Sequence, residues 1–184
     1  MQGKRLSVKY FVQGDFTFDL AVLVPILQRW IQQHAVEGLL IDVVDYKHVH
    51  QGPGVILIGH EGDYSFDLRD GRPGLLYTRK RALQGALADD LRLALRLAAE
   101  AGRKLEAEPS LSGVRFNYDE AEIRLLDRLN APNTPETFES LRSVLQMVAG
   151  DWYQTGAVSV DAIEPDTRKP LTVRIAVSQE SVVS

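Results

Sequence analysis

Alternation and three-to-four spacing divide this chain into strands and helices before any single residue is considered. Leu6, Val8, Tyr10 and Val12 fall on one side of a period-two segment, which predicts a first strand over 4–12. Gln13-Gly14-Asp15 ends it. Leu23, Leu27, Trp30 and Ile31 then recur at helical spacing and predict a helix over 25–34. Pro25 sits in its first turn, where a missing N–H costs nothing. Residues 39–44 are apolar and rich in β-branched side chains, as a buried strand requires. Residues 55–59 repeat that pattern beyond the Gly52-Pro53-Gly54 break. Tyr64, Phe66 and Leu68 alternate with polar neighbours, Asp70-Gly71 is a turn signal, and 74–78 begin another strand. The middle third reads as an antiparallel meander.

The longest periodic segment covers 80–106. Leu83, Leu87, Leu91, Ala94, Ala98, Ala101 and Leu105 follow steps of three and four, and at ~1.5 Å per residue such a helix runs roughly 40 Å. Gly85 and Gly102 weaken its two ends. A linker at 109–113 leads to a hairpin, 114–118 with 122–126, turning near Asp119-Glu120. Asn133-Thr134-Pro135-Glu136 then starts a third helix: a capping hydroxyl, proline at the first position and an acid at the positive end of the dipole. Phe138, Leu141, Leu145, Val148 and Trp152 mark its buried stripe, so Trp30 and Trp152 are both expected in the core. Strands at 158–163 and 171–177 close the chain, with Pro165-Asp166 and Lys169-Pro170 bracketing their turn and a frayed tail at 179–184. The order β-α-ββββ-α-ββ-α-ββ is that of an α+β fold: one domain over 1–178, a mainly antiparallel sheet covered on one face by about three helices.

Composition narrows the function. At 184 residues the chain is long enough to bury a core without staples. A formal charge of −4 argues against nucleic acid as a partner, and the one basic run, Arg79-Lys80-Arg81, reads as a solvated helix start. There is no cysteine, which excludes thiol nucleophiles, thiolate metal sites and disulfides and suits a reducing compartment. No apolar run has signal-peptide or bilayer-spanning length, so a cytoplasmic protein without a membrane partner is expected.

The densest chemistry lies at 42–67. His48, His50 and His60 are here with Asp42, Asp45, Glu61, Asp63 and Asp67. On an extended segment His48 and His50 point to one side, and His60, Glu61 or Asp63 could complete a nitrogen and oxygen shell for a divalent metal. His60, Glu61 and Asp63 are also the candidate acid–base residues, since a His–carboxylate pair can be tuned near neutral pH. The geometry of a plain hairpin opposes a single site. Six residues separate His60 from Gly54, about 20 Å at ~3.3 Å each. Gly52-Pro53-Gly54 precedes a strand rather than a helix and lacks a P-loop ending; no Gly-x-Gly-x-x-Gly and no Gly-x-Ser-x-Gly occurs. Asp127-Arg128, Asn130 and Asn133 read as an ion pair and caps, and Arg72 is placed to pair with Asp63 or Asp67.

Trp30-Ile31-Gln32, Leu40-Ile41-Asp42, His48-Val49, Gly52-Pro53-Gly54-Val55, Leu57-Ile58-Gly59-His60-Glu61 and Gly74-Leu75-Leu76-Tyr77 resemble a family of small soluble bacterial proteins with no assigned activity. Asp127-Arg128-Leu129 and Asn133-Thr134 belong to the same resemblance, which covers about two thirds of the chain. It implies a bacterial cytosolic protein and supplies no catalytic residue. Two function classes follow. One is a non-catalytic binding or assembly protein with a small-molecule ligand or a second copy of itself, the Ala/Leu stripe of the long helix serving a homodimer. The alternative is a small, metal-assisted enzyme with a His/Glu site at 42–67.

Overall fold

Strand alternation builds one antiparallel sheet with two unlike faces. The computed structural model describes residues 5–81, 85–163 and 166–178. Among these, the strands are β1 (Leu6–Phe11), β2 (Leu40–Tyr46), β3 (Gly54–Gly59), β4 (Gly62–Asp67), β5 (Gly74–Arg79), β6 (Glu120–Leu125), β7 (Val158–Ile163) and β8 (Leu171–Val177). The helices are α1 (Leu23–Gln33), α2 (Leu87–Glu106) and α3 (Pro135–Tyr153). All eight strands join in the order β2-β3-β4-β5-β1-β6-β8-β7, and every neighbouring pair is antiparallel. The fold is α+β, with its elements in the expected order. The 114–118 arm contributes a single bridge, Val12 with Phe116, beside the full strand β6.

Register sorts the side chains. Val8 lies opposite Tyr77 and Ile123; Tyr77 lies opposite Tyr64; Ile123 lies opposite Val173. These residues and their i±2 neighbours Leu6, Tyr10, Leu75, Phe66, Leu125 and Ile175 are buried and make one apolar face. The helices cover it, α1 against β2 and β3, α2 against β1 and β5, α3 against β7 and β8. No helix of the described residues is long and apolar enough to cross a membrane.

α2 begins at Leu87 rather than at residue 80, and Leu83 lies outside the described residues. The cause is Arg79. It ends β5 on the helix-covered face, buried, with Nε 3.1 Å from Oδ1 of buried Asp90 in the first turn of α2. The basic run therefore starts inside the sheet and is not a solvated helix start. Leu87, Leu91, Ala94, Ala98, Ala101 and Leu105 are all buried in the chain's own core, so the described part of this stripe leaves nothing for a partner. Gly102 has a packing reason: a Cβ there would lie 2.6 Å from the Tyr118 hydroxyl, so any larger residue would have to displace that side chain. α3 starts as read, with Thr134 Oγ1 accepting from the Thr137 N–H at 3.3 Å and Pro135 at the first position.

Trp30 is 3% exposed, whereas Trp152 is half-buried against the core, contrary to the expectation that both sit inside. Trp152 lies in the last turn of α3, one residue before its end, where the helix runs past the packed stripe. Replacing Trp30 by Ala should therefore cost about 3–5 kcal/mol, and Trp152→Ala distinctly less. Urea unfolding midpoints of the two variants check this; equal losses would mean that the two faces are packed alike.

Candidate functional site

The histidine segment is spread along a hairpin. Tyr46 pairs with Gly54 at one end of β2–β3, and Leu40 pairs with Gly59 at the other. His48 and His50 lie in the exposed 47–53 connection, at the first end. His60 follows β3 at the opposite end, its N–H donating to the Leu39 carbonyl at 2.8 Å. A strand length of about 20 Å separates the two ends. Among the described residues no three His, Asp or Glu side chains group so as to hold a metal.

What the structure does bring together is His60, Glu61 and Asp63 around the β3–β4 turn. His60 Nδ1 lies 3.1 Å from Glu61 Oε1, and Glu61 Oε2 accepts from the Leu39 N–H at 3.2 Å. The contact with His60, and then the Leu39 N–H, hold the Glu61 carboxyl below the usual carboxylate range. Asp63 accepts from the Gly59 N–H at 3.1 Å and pairs with Lys80 Nζ at 2.7 Å, while Lys80 also donates to the Gly59 carbonyl at 2.8 Å. Both carboxylates tie down the turn. The His60–Glu61 pair stands in solvent, 43% and 45% exposed, where water levels the electrostatics that a general acid–base pair needs.

A second constellation lies on the sheet face turned away from the helices. Lys9, on β1, is 1% exposed there, with Nζ 2.7 Å from Oδ2 of fully buried Asp67 and 3.3 Å from the Arg69 carbonyl. Burial pulls the Lys9 ammonium below the ordinary lysine range, against the pull of Asp67. Arg69 Nε closes on the other Asp67 oxygen at 2.5 Å. This occupies the carboxylate expected for Arg72, which instead donates to Glu120 at 3.1 and 3.5 Å. Across β7, β8, β6 and β1 the register sets Asp161, Arg174, Glu122 and Lys9 side by side, alternating in sign.

Arg124 is the hub of the neighbouring row. Its Nη2 lies 2.6 Å from both Asp70 and Glu122, and its Nε donates to Glu122 at 2.8 Å. Burial opposes its charge, but Glu122 and Asp70 outweigh that and raise the guanidinium above its ordinary value. Arg174 Nε stands 2.9 Å from Glu120 Oε1, yet this buried nitrogen makes no hydrogen bond. Arg72 lies flat over Phe11, 3.5 Å from the ring centroid. Between these groups is a cavity of about 410 Å³, lined by Asp70, Arg72, Glu122, Arg124 and Arg174, with Asn133, Lys169 and Thr172 towards the strand ends.

The sequence reading took Asp70, Glu120 and Lys169 as turn residues only, and assigned no role to Lys9, Arg69, Glu122, Arg124, Asp161 or Arg174. The signal was present: Glu120, Glu122 and Arg124 alternate with Ala121, Ile123 and Leu125, and Thr172 and Arg174 alternate with Leu171, Val173 and Ile175. Nearer the strand ends, Asn130 donates to Asp127 at 2.7 Å and Arg128 to the Arg168 carbonyl at 2.5 Å, local ties that hold the approach to α3. No protein-family model matches the chain, and no curated protein matches it.

Removing one partner of the Lys9–Asp67 pair strands a buried charge. Asp67→Ala should cost about 3–5 kcal/mol. The double variant Lys9→Met/Asp67→Leu should recover most of that loss, because no charge is then left unpaired. Denaturant unfolding of the wild type, both single variants and the double gives the coupling; additive losses would show that the pair is not coupled.

Proposed function

We propose that this chain is a non-catalytic binding protein that holds a small ligand on the open face of its sheet. The observation that carries the reading is the 410 Å³ cavity with three guanidiniums at its wall. Ligand pockets commonly measure ~300–1,000 Å³ and place a few polar groups to orient what they hold. Here Arg124 and Arg174 sit on paired strands and Arg72 on the connection before β5, and carboxylates and an aromatic ring orient them, so little side-chain freedom is lost on binding. Titrating the isotope-labelled protein with a mixture of small polar compounds tests this. Amide shifts should concentrate at Asn133, Ile163, Thr172 and Arg174. Shifts confined to 60–63 would instead favour acid–base chemistry at the His60–Glu61 pair.

A second reading, self-assembly, is favoured by the β2 edge. β2 ends the sheet, so one side of its backbone lacks a strand partner. Four of the six exposed large hydrophobics among the described residues, Leu39, Ile41, Tyr46 and Val49, lie on or beside it. Open edges with apolar side chains are templates for another strand. A second copy paired antiparallel about Val43 would set Asp42 opposite Val44 and Asp45 opposite Ile41, so no carboxylate would face another directly. On this reading the protein is a homodimer at micromolar concentration and Ile41→Lys makes it monomeric. Light scattering decides; a wild-type monomer throughout that range removes the assembly reading.

A further inference from the structure

Resting on the open-face reading, we infer that the cavity takes an uncharged, flat heterocycle of the nucleobase kind, stacked on Arg72 and held at its edge by Arg124 and Asp70. Charge matching is the first ground. The guanidiniums of the wall already have carboxylates. Arg72 and Arg174 share Glu120, at 3.1 and 2.9 Å, and Arg124 reaches Glu122 and Asp70, each at 2.6 Å. A charged ligand has to break one of these charge-assisted contacts, whereas a neutral one leaves them all in place.

What those pairs leave unused is the second ground. Arg72 donates to Glu120 through both Nη1 and Nη2, so the fork end of its plane is taken. Buried Phe11 covers one face of the guanidinium, 3.5 Å from the ring centroid. The Arg72 side chain is nevertheless 44% exposed and lines the cavity. It offers the cavity its second face, and a guanidinium plane, being weakly hydrated, stacks readily on a flat π-system. Arg124 spends Nε and Nη2 on Glu122 and Asp70, which among the described residues leaves the N–H groups of Nη1. Asp70 gives Oδ2 to Arg124, and its side chain is 70% exposed, so Oδ1 remains as an acceptor. A donor and an acceptor close together suit a ring edge that carries a carbonyl or ring nitrogen beside an N–H. A sugar has hydroxyls for that edge but no flat face for Arg72. Size is the third ground: 410 Å³ admits a compound of one or two rings and is far too small to follow a polymer backbone.

Titration of the isotope-labelled full chain with uracil, cytosine and hypoxanthine, and with ribose beside them, tests the inference. At least one of the three bases should shift the Thr172 and Arg174 amides saturably, and ribose should not. Its affinity should change by less than about twofold as salt rises, because no net charge is neutralised. Arg72→Lys keeps a cation opposite Glu120 but removes the flat face, and should weaken binding by about tenfold or more. Arg142→Lys, which removes another exposed guanidinium set over a phenyl ring, that of Phe138 on α3, should leave it unchanged. Thr172→Tyr fills the wall and should abolish binding; it serves if Arg72→Lys fails to fold. No saturable shift with any base, or equal affinity in the wild type and both cavity variants, overturns the inference. If ribose or another polar compound shifts those amides and the bases do not, the flat ligand is wrong and open-face binding stands. If nothing reaches the cavity, both fall.

Discussion

β1 is hydrogen-bonded on both sides, to β5 and to β6, and the two faces of the molecule follow from that. A strand clamped between two neighbours cannot slip by one residue without exchanging its faces. Leu6, Val8 and Tyr10 are therefore committed to the helices, and Ser7, Lys9 and Phe11 to the opposite side. That places a lysine in the middle of an eight-stranded sheet, where its charge must be matched. Asp67 matches it from β4, two strands away, and Arg69 and the Arg69 carbonyl complete the set. A buried pair of this kind adds little stability over an apolar replacement, but breaking it is costly. It penalises any register that separates its members.

The rest of the open face extends from this centre. Phe11 carries Arg72, Glu122 lies opposite Lys9, and Arg174 lies opposite Glu122. Strand pairing spaces Glu122, Arg124, Thr172 and Arg174 at fixed intervals, and the connections that carry Asp70, Arg72, Asn133 and Lys169 complete the cavity wall. This is the ground on which a ligand is proposed here rather than on the 47–53 connection. Sites on paired strands hold their groups more closely than sites on exposed turns.

The histidine segment shows how local density misleads. Three histidines and five acids within 26 residues look like a single site only while the chain is one-dimensional. Pairing of β2 with β3 sends His48 and His50 to one end and His60 to the other. Glu61 and Asp63 then have ordinary work, accepting N–H groups from Leu39 and Gly59 and anchoring Lys80. The glycines fit the same account. A Cβ at Gly59 would lie 2.4 Å from the Gly62 carbonyl, a contact that only a bare backbone tolerates.

Short-range physics was enough to read the elements. Period two marked the strands, three-to-four spacing marked α1, α2 and α3, and the Thr134-Pro135-Glu136 start was recognisable because capping is local chemistry. Alternation also announced that the strands have two unlike faces, although the charged row Glu120, Glu122, Arg124 and Arg174 went unread beside the denser histidines. What no local pattern contains is strand order. The placing of β1 between β5 and β6, the meeting of Lys9 with Asp67 58 residues on and of Arg72 with Glu120 48 residues on, and the inward turn of Arg79 to Asp90 all depend on it. Such contacts arise between segments remote in the chain, and packing of the whole sheet chooses among their pairings. The elements were therefore legible from residues three or four apart, and the open-face cavity was decided only when the sheet closed.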